Sequence, residues 1–359
     1  MIKSMVSYLQ RRKKHFGIDI GTDSVKVVEI EGRGERPLLK VLTSVPLPQG
    51  IYRDGEIGNR QALSDVIGEL VMKSGISTPY CVSAIEGPNV FNRFINFPVM
   101  SRTEVLEAVK WDAEKYMPYS PEDCYLDAVI LGNGTGAQEM KVLLVAAGKE
   151  MIDEHMETLL KADLLPIGID FGALALGRAL LDRNTQENSV ILDIGDGSTK
   201  MTFFKGRAMA FSRTIPFGGN RITRILQEQL GLSRAEAENF KKHQQELLVP
   251  KVGETAETEQ VRNHLSLALN DIKREINRSL EYYQLQNHDE ALSRIIFAGG
   301  GSLLPGLQEA LLMDLDLHHV TADLSKVVDY TPSFDQTFLQ SASPVYSTAL
   351  GLALWEEQS

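Results

Sequence analysis

The sequence predicts an α/β protein built from two related domains, and three observations lead there. The first is an internal repeat. Residues 16–28 read Phe-Gly-Ile-Asp-Ile-Gly-Thr-Asp-Ser-Val-Lys-Val-Val, and residues 190–202 read Val-Ile-Leu-Asp-Ile-Gly-Asp-Gly-Ser-Thr-Lys-Met-Thr. Without a gap, Asp19, Ile20, Gly21, Ser24 and Lys26 fall on Asp193, Ile194, Gly195, Ser198 and Lys200, about half a chain later. The second is that strand-like alternation and helical spacing follow each other along both halves. The third is length: 359 residues imply two or three domains.

The repeated device has a physical use. An apolar strand ends in an aspartate, a tight turn of small residues follows, and a second strand leaves. Glycine lets the turn backbone approach a ligand closely, and successive turn amides make a concave anion site. The aspartate suits a magnesium ion that keeps most of its waters. Two such loops facing each other would clamp a nucleotide triphosphate between two domains. The first loop offers Asp19, Gly21, Thr22, Ser24 and Lys26, and the second Asp193, Gly195, Asp196, Gly197, Ser198 and Thr199. Asp19 and Asp193 are the candidate catalytic carboxylates, positioning Mg2+ and phosphate through water.

Composition narrows the partners. A net charge of −11 argues against a general nucleic-acid binder. Residues 1–14 carry Lys3, Arg11, Arg12, Lys13 and Lys14 and no acid, which leaves −16 for the rest. With Ile2, Met5, Val6 and Leu9 at helical spacing, this segment reads either as a frayed tail or as a weak anchor on an anionic membrane. Cys81 and Cys124 make neither a disulfide framework nor a zinc cluster and fit a reducing cytosol. No apolar run approaches the ~20 residues of a membrane span, and no secretory signal is expected. Seven histidines show no metal-ligand spacing, and Glu150 after Gly148-Lys149 breaks any Walker motif.

Along the first half, strands are expected over Phe16–Pro46 and Tyr80–Ile85, with a helix over Gln61–Met72 between them. Strand-strand-strand-helix-strand resembles the ribonuclease-H-like fold of the actin, sugar-kinase and heat-shock-chaperone superfamily. Next, Ser101 and Glu104 form a capping box for a helix over Arg102–Met117. Strands near Tyr125–Leu131 and Met140–Ala146 and a helix over Glu150–Leu160 complete an α+β unit. Its run from Phe97-Pro98 through Met100-Ser101, Glu114, Tyr116, Pro118-Tyr119 and on to Asp127 resembles the signature of the type IV pilus assembly family PilM, pilus relatives of the division protein FtsA.

In the second half, Arg207–Ile215 is a strand, and Pro216-Phe217-Gly218-Gly219 turns into a helix over Arg221–Leu230. Ser233 caps a helix whose Glu238 and Lys241 resemble the superfamily pair facing ribose and base; a solvated charged face is the alternative. A long helix follows residue 260, with Val261, Leu265, Leu269, Ile272, Ile276, Leu280 and Tyr283 as its apolar stripe. The strand Arg294–Ala298 runs into Gly299, Gly300, Gly301 and Ser302, similar to the superfamily's adenosine motif, with a helix starting near Pro305. A last helix is expected over Ser347–Trp355.

The resemblance implies duplicated ribonuclease-H-like (actin-like ATPase) domains with an FtsA-type insertion. Residues 1–14 precede a first core over 15–91, 166–188 and 340–359, with the insertion at 92–165. A second core spans 189–224 and 292–339, with a helical subdomain at 225–291. It implies a cytoplasmic protein, peripheral to the inner membrane, binding ATP and Mg2+. The implied partner is the tail of a PilN-like membrane protein, docking between the first core and the insertion, beside other pilus assembly proteins; homo-oligomers stay open. A small-molecule kinase and an FtsA-like filament protein are the alternatives. PilM relatives resemble Asp-x-Glu-Pro at the connecting helix, whereas this chain has Asp170-Phe171-Gly172, so weak or absent turnover is expected. On the insertion helix, Trp111 stands about 140° around from Tyr116 at ~3.6 residues per turn. If Tyr116 is core, Trp111 faces outward and invites a covering partner.

Overall fold

The computed structural model describes residues 13–32, 34–53, 55–133, 138–243, 248, 255–286, 291–313, 315 and 317–356. Most of the segment expected to be amphipathic at 1–14 lies outside them. The repeat is realised as two sheets of one topology. The first is built from β1 (Phe16–Ile20), β2 (Ser24–Glu31), β3 (Leu38–Pro46), β6 (Tyr80–Ile85) and β10 (Leu165–Phe171). Its order is β10-β6-β1-β2-β3, with β16 (Asp329–Tyr330) added at the edge. A small hairpin, β4 (Tyr52–Arg53) and β5 (Glu56–Ile57), precedes the helix α1 (Arg60–Ser74).

The second sheet contains β11 (Asn188–Ile194), β12 (Thr199–Lys205), β13 (Ala208–Ile215), β14 (Arg294–Ala298) and β15 (His318–Thr321). Its order, β13-β12-β11-β14-β15, repeats the first. In each, an antiparallel meander continues on its far side into parallel strands. Both central strands are buried almost throughout, because helices cover both faces.

One face of the first sheet packs on α1 and on α4 (Lys149–Lys161), through Leu63, Ile67 and Leu159. The other carries α10 (Gln336–Ala353), through Leu339, Tyr346, Ala349 and Leu350. That last helix begins eleven residues before the expected Ser347. Pro344 reads as a breaker in sequence, yet it lies inside the helix, where Asp335 caps the start. The hydroxyls of Ser343 and Ser347 donate back to the carbonyls of Leu339 and Ser343 at 2.6 and 2.7 Å. On the second sheet, the whole apolar stripe of α8 (Ala256–Gln286) is buried, as its spacing requires.

The insertion is a three-stranded antiparallel sheet, ordered β7 (Val90–Pro98), β9 (Glu139–Gly148), β8 (Cys124–Asn133). Its period-two alternation serves two partners. Val142 and Leu144 face Val105 and Val109 of α2 (Arg102–Trp111). Leu143 and Val145, one register apart, pack with Phe204 and Met209 of the second domain and with Leu176. The helix expected over Arg102–Met117 breaks at Asp112 into α2 and the short α3 (Ala113–Tyr116). The expected insertion range 92–165 also takes in α4, whose buried Leu159 joins the first sheet's core.

A polar chain ties that core together. Ser83 Oγ donates to the Ile18 carbonyl at 3.2 Å and lies 2.9 Å from His155 Nε2. The hydroxyl has one proton, so Nε2 carries the hydrogen that Ser83 accepts. Burial pushes the His155 imidazole down to about 4. An unfolded His takes its proton near pH 6.5, so the unfolded state binds more protons between those values and stability falls as the pH is lowered through them. A loss of up to about 3 kcal/mol is expected over that window. Urea melts at pH 7.5, 5.5 and 4.5 test this, and His155→Gln should remove most of the dependence.

Candidate functional site

The two hairpins carry the same chemistry at the same register. Asp19 pairs across the ladder with Lys26 and Ile20 with Val25, just as Asp193 pairs with Lys200 and Ile194 with Thr199. Gly21 N donates to Ser24 O at 3.0 Å, and Gly195 N to Ser198 O at 2.9 Å. Thr22, Gly197 and Ser198 lie partly exposed in these turns. Apolar strand residues are buried up to each aspartate, so the carboxylate is the first polar side chain at the strand's end.

The turns face each other. Burial, with Asp19 close by, pushes the Asp193 carboxyl up to about 7 against the pull of Lys26. Burial and then Asp23 push Asp196 up against Arg234 and Lys241. Lys26 donates to Asp19 Oδ2 at 3.1 Å, while Lys200 stands 3.9 Å from Asp193 Oδ2 and pairs with Glu86. A carboxyl whose ionisation is opposed by burial and by a neighbouring carboxylate marks a site short of positive charge. A hydrated divalent cation would meet that need with few protein ligands. Among the described residues no group of three or more His, Cys, Asp or Glu is placed to hold a metal ion directly.

The second domain supplies the rest of the rim. Gly219, at the start of α6 (Gly219–Leu230), has its N–H on Gly195 O at 2.9 Å. Lys241 of α7 (Arg234–His243) donates to Glu238 Oε1 at 2.8 Å, to Thr223 Oγ1 at 2.8 Å and to Gly219 O at 3.2 Å. Burial raises the Glu238 carboxyl, but the hydrogen bonds from Lys241 and Thr223 outweigh it and leave the group lowered. The predicted pair is therefore a fixed network against Gly219.

Gly299, at φ 79°, packs where a Cβ would come 2.5 Å from Asp193 Oδ1. Gly301 packs on Ile194 in the same way, whereas a Cβ on Gly300 would meet nothing. Two of the predicted hydroxyls turn inward. Thr199 Oγ1 is buried and donates to Phe217 O at 2.7 Å, and Ser302 Oγ donates to Gly299 O at 2.7 Å. Both hydroxyls hold the site's frame and offer no donor to a ligand. The helix expected near Pro305 runs only from Leu307 to Leu312, behind a 3-10 turn over Gly300–Leu303.

A family model for the type IV pilus assembly protein PilM matches residues 17–357. The chain belongs to the PilM family. A solved PilM-PilN type IV pilus biogenesis complex contains a chain that is 27% identical, with a TM-score of 0.81 over 96% of this chain and 98% of that one. The division protein FtsA of Streptococcus pneumoniae is 24% identical over 331 residues, covering 82% of this chain and 72% of FtsA. FtsA of Borreliella burgdorferi is 24% identical over 202 residues, or 52% of this chain, and the chain spans about half (47%) of that relative's length. MreB 5 of Spiroplasma citri bound to AMPPNP shares the fold at 13% identity, with a TM-score of 0.54 and 96% of each chain covered.

Three site residues escaped the sequence pattern of this PilM-family chain. With its carbonyl turned to the guanidinium, Gln49 accepts from Arg234 at 2.9 and 3.1 Å, and Arg234 lies 3.7 Å from Asp196. That contact joins the first core to α7. The third is Glu86, just past the end of β6. Alignment on Asp170 leaves no carboxylate at Gly172, yet a Cβ there would overlap the carboxylate of Glu86. The expected vacancy is thus filled from another strand. Asp170 itself is committed to Arg178 and to the N–H of Phe171. A polar residue at the carboxyl end of a parallel strand beside β1 was the available signal for Glu86.

Proposed function

We propose that this chain is an ATP-binding assembly protein of a type IV pilus or related secretion system, and acts as a nucleotide-dependent switch. The facing Asp–Lys hairpins, with Asp193 pushed up to about 7, carry the nucleotide reading. The shared fold of an AMPPNP-bound MreB supports it. A bound hydrated magnesium ion would offset phosphate charge. Asp19 and Asp193 would hold it through water, Lys26 and Lys200 would neutralise phosphate charge, and the Glu238–Lys241 network would take the nucleoside side. Glycine at 21, 195 and 219 lets the backbone come close.

The partner reading rests on the insertion and on likeness to a chain solved in a PilM-PilN complex. Trp111 is 92% exposed on α2, while Tyr116 packs against Phe97 with ring centroids 5.7 Å apart. A bare indole beside antiparallel strands suits a short extended tail, with main-chain bonds for affinity and apolar contacts for selectivity. Among the described residues no helix is long and apolar enough to cross a membrane. A PilN-like membrane partner would bring the chain to the membrane surface, with Lys3, Arg11 and Arg12 available to anionic lipid.

Titrating the cytoplasmic tail peptide of a PilN-like protein into the full chain is expected to shift tryptophan fluorescence. Trp111→Ala should weaken the tail at least tenfold, about 1.4 kcal/mol, and leave ATP affinity unchanged. Equal tail affinity in the variant would move the dock away from α2.

A further inference from the structure

Ile85, the last residue of β6, pairs with Phe171, the last of β10. Glu86 and Gly172 therefore leave the sheet side by side, at the carboxyl ends of parallel strands. Gly172 opens the connecting helix α5 (Gly172–Leu180), and Glu86 occupies the space its side chain would take. The two carboxylate oxygens differ. Oε2 pairs with Lys200, which in turn stands 3.9 Å from Asp193. Among the described residues, Oε1 is buried without a hydrogen-bond partner. A buried polar atom left without a donor needs an explanation, and an ion pair with Lys200 explains only Oε2.

We propose that Glu86 is the catalytic carboxylate of ATP hydrolysis in this cleft, with Oε1 orienting and deprotonating the attacking water. The inference rests on the nucleotide reading above. It assigns the role to a strand end of the first domain, reached past a glycine that a larger residue would block. The water oxygen bonds to the γ-phosphorus as the bond from that phosphorus to the β–γ bridging oxygen breaks, its electron pair leaving with ADP. One water proton passes to Glu86 and then to the departing phosphate, so the products are ADP and inorganic phosphate. Lys200 is shared between Glu86 and Asp193, so phosphate charge drawing Lys200 toward it loosens the hold on Oε2 as substrate arrives.

The test uses the full chain, ATP and magnesium, with calorimetric affinity and phosphate release measured side by side. Glu86→Gln is expected to bind ATP within about threefold of wild type and to release phosphate at least tenfold more slowly, the low end of general-base effects. Gly172→Glu alone should lose turnover, and Glu86→Gly combined with Gly172→Glu should regain part of it by returning a carboxylate to the same space. Should Glu86→Gln fail to fold, Glu86→Asp keeps the charge but withdraws the oxygen, and the same loss is expected. Wild-type turnover in a well-folded Glu86→Gln, or a wild type that holds ATP without hydrolysing it, overturns the proposal. Failure of wild type to bind ATP overturns the nucleotide reading instead.

Discussion

Asp193→Asn is expected to lower the affinity for magnesium-ATP by about ten- to a hundredfold, and Asp19→Asn by a similar amount. The range follows from the ~1.5–3 kcal/mol of a hydrogen bond to a charged group, here made by a carboxylate to water on the metal. Both residues end buried strands and pair across the ladder with a lysine, so asparagine keeps the shape and removes one charge. Folding should not suffer. Asp193 is pushed up by burial and by Asp19, and removing either charge relieves that repulsion, so the thermal midpoint of the free protein should hold or rise. Calorimetry and melting curves together make the distinction: a variant that loses ATP because it unfolds shows a lowered midpoint.

Gly351→Val is expected to have the largest effect on stability, at least about 3 kcal/mol, the upper end of what overpacking costs. A Cβ on Gly351 of α10 would overlap the carbonyl of Ala175 on α5. On the other side of that helix, a Cβ on Gly17 of β1 would overlap the carbonyl of Ala349. The last helix is thus pressed backbone to backbone on the connecting helix and on the strand that presents Asp19. Neither contact can give way at a flexible side chain. Against the ~5–15 kcal/mol of a whole domain, the variant should unfold at far lower urea or fail to accumulate. Gly148→Ala is the control, since its Cβ would meet nothing and its φ of −56° suits any residue; it should melt like wild type.

What could be read from the sequence depended on the range of the interaction. The hairpins were legible because each is local: strand, turn and strand lie within thirteen residues, and the Asp–Lys register follows from the turn length. The stripe of α8 was legible because burial on one face imposes a period. Pro344 hid the first eleven residues of α10, because the hydroxyls of Ser343 and Ser347 and the close neighbours of that helix keep it continuous. The break at Asp112 carried no glycine or proline to mark it. Glu86 was beyond reach for another reason. Its partners Gly172 and Lys200 lie 86 and 114 positions away, and only the pairing of β6 with β10 and the facing of the two domains bring them together. Thr199 and Ser302 show the converse: a motif names the residue, and the fold decides which way its hydroxyl points.

The most direct measurement is a calorimetric titration of ATP into the wild-type full chain, with magnesium and then with the metal chelated. The facing hairpins predict one site per chain, saturating at micromolar to sub-millimolar ATP and weakening at least tenfold when magnesium is withdrawn. Absence of saturable heat at millimolar ATP, or binding indifferent to magnesium, would contradict the assignment of Asp19 and Asp193 to a metal-bound nucleotide.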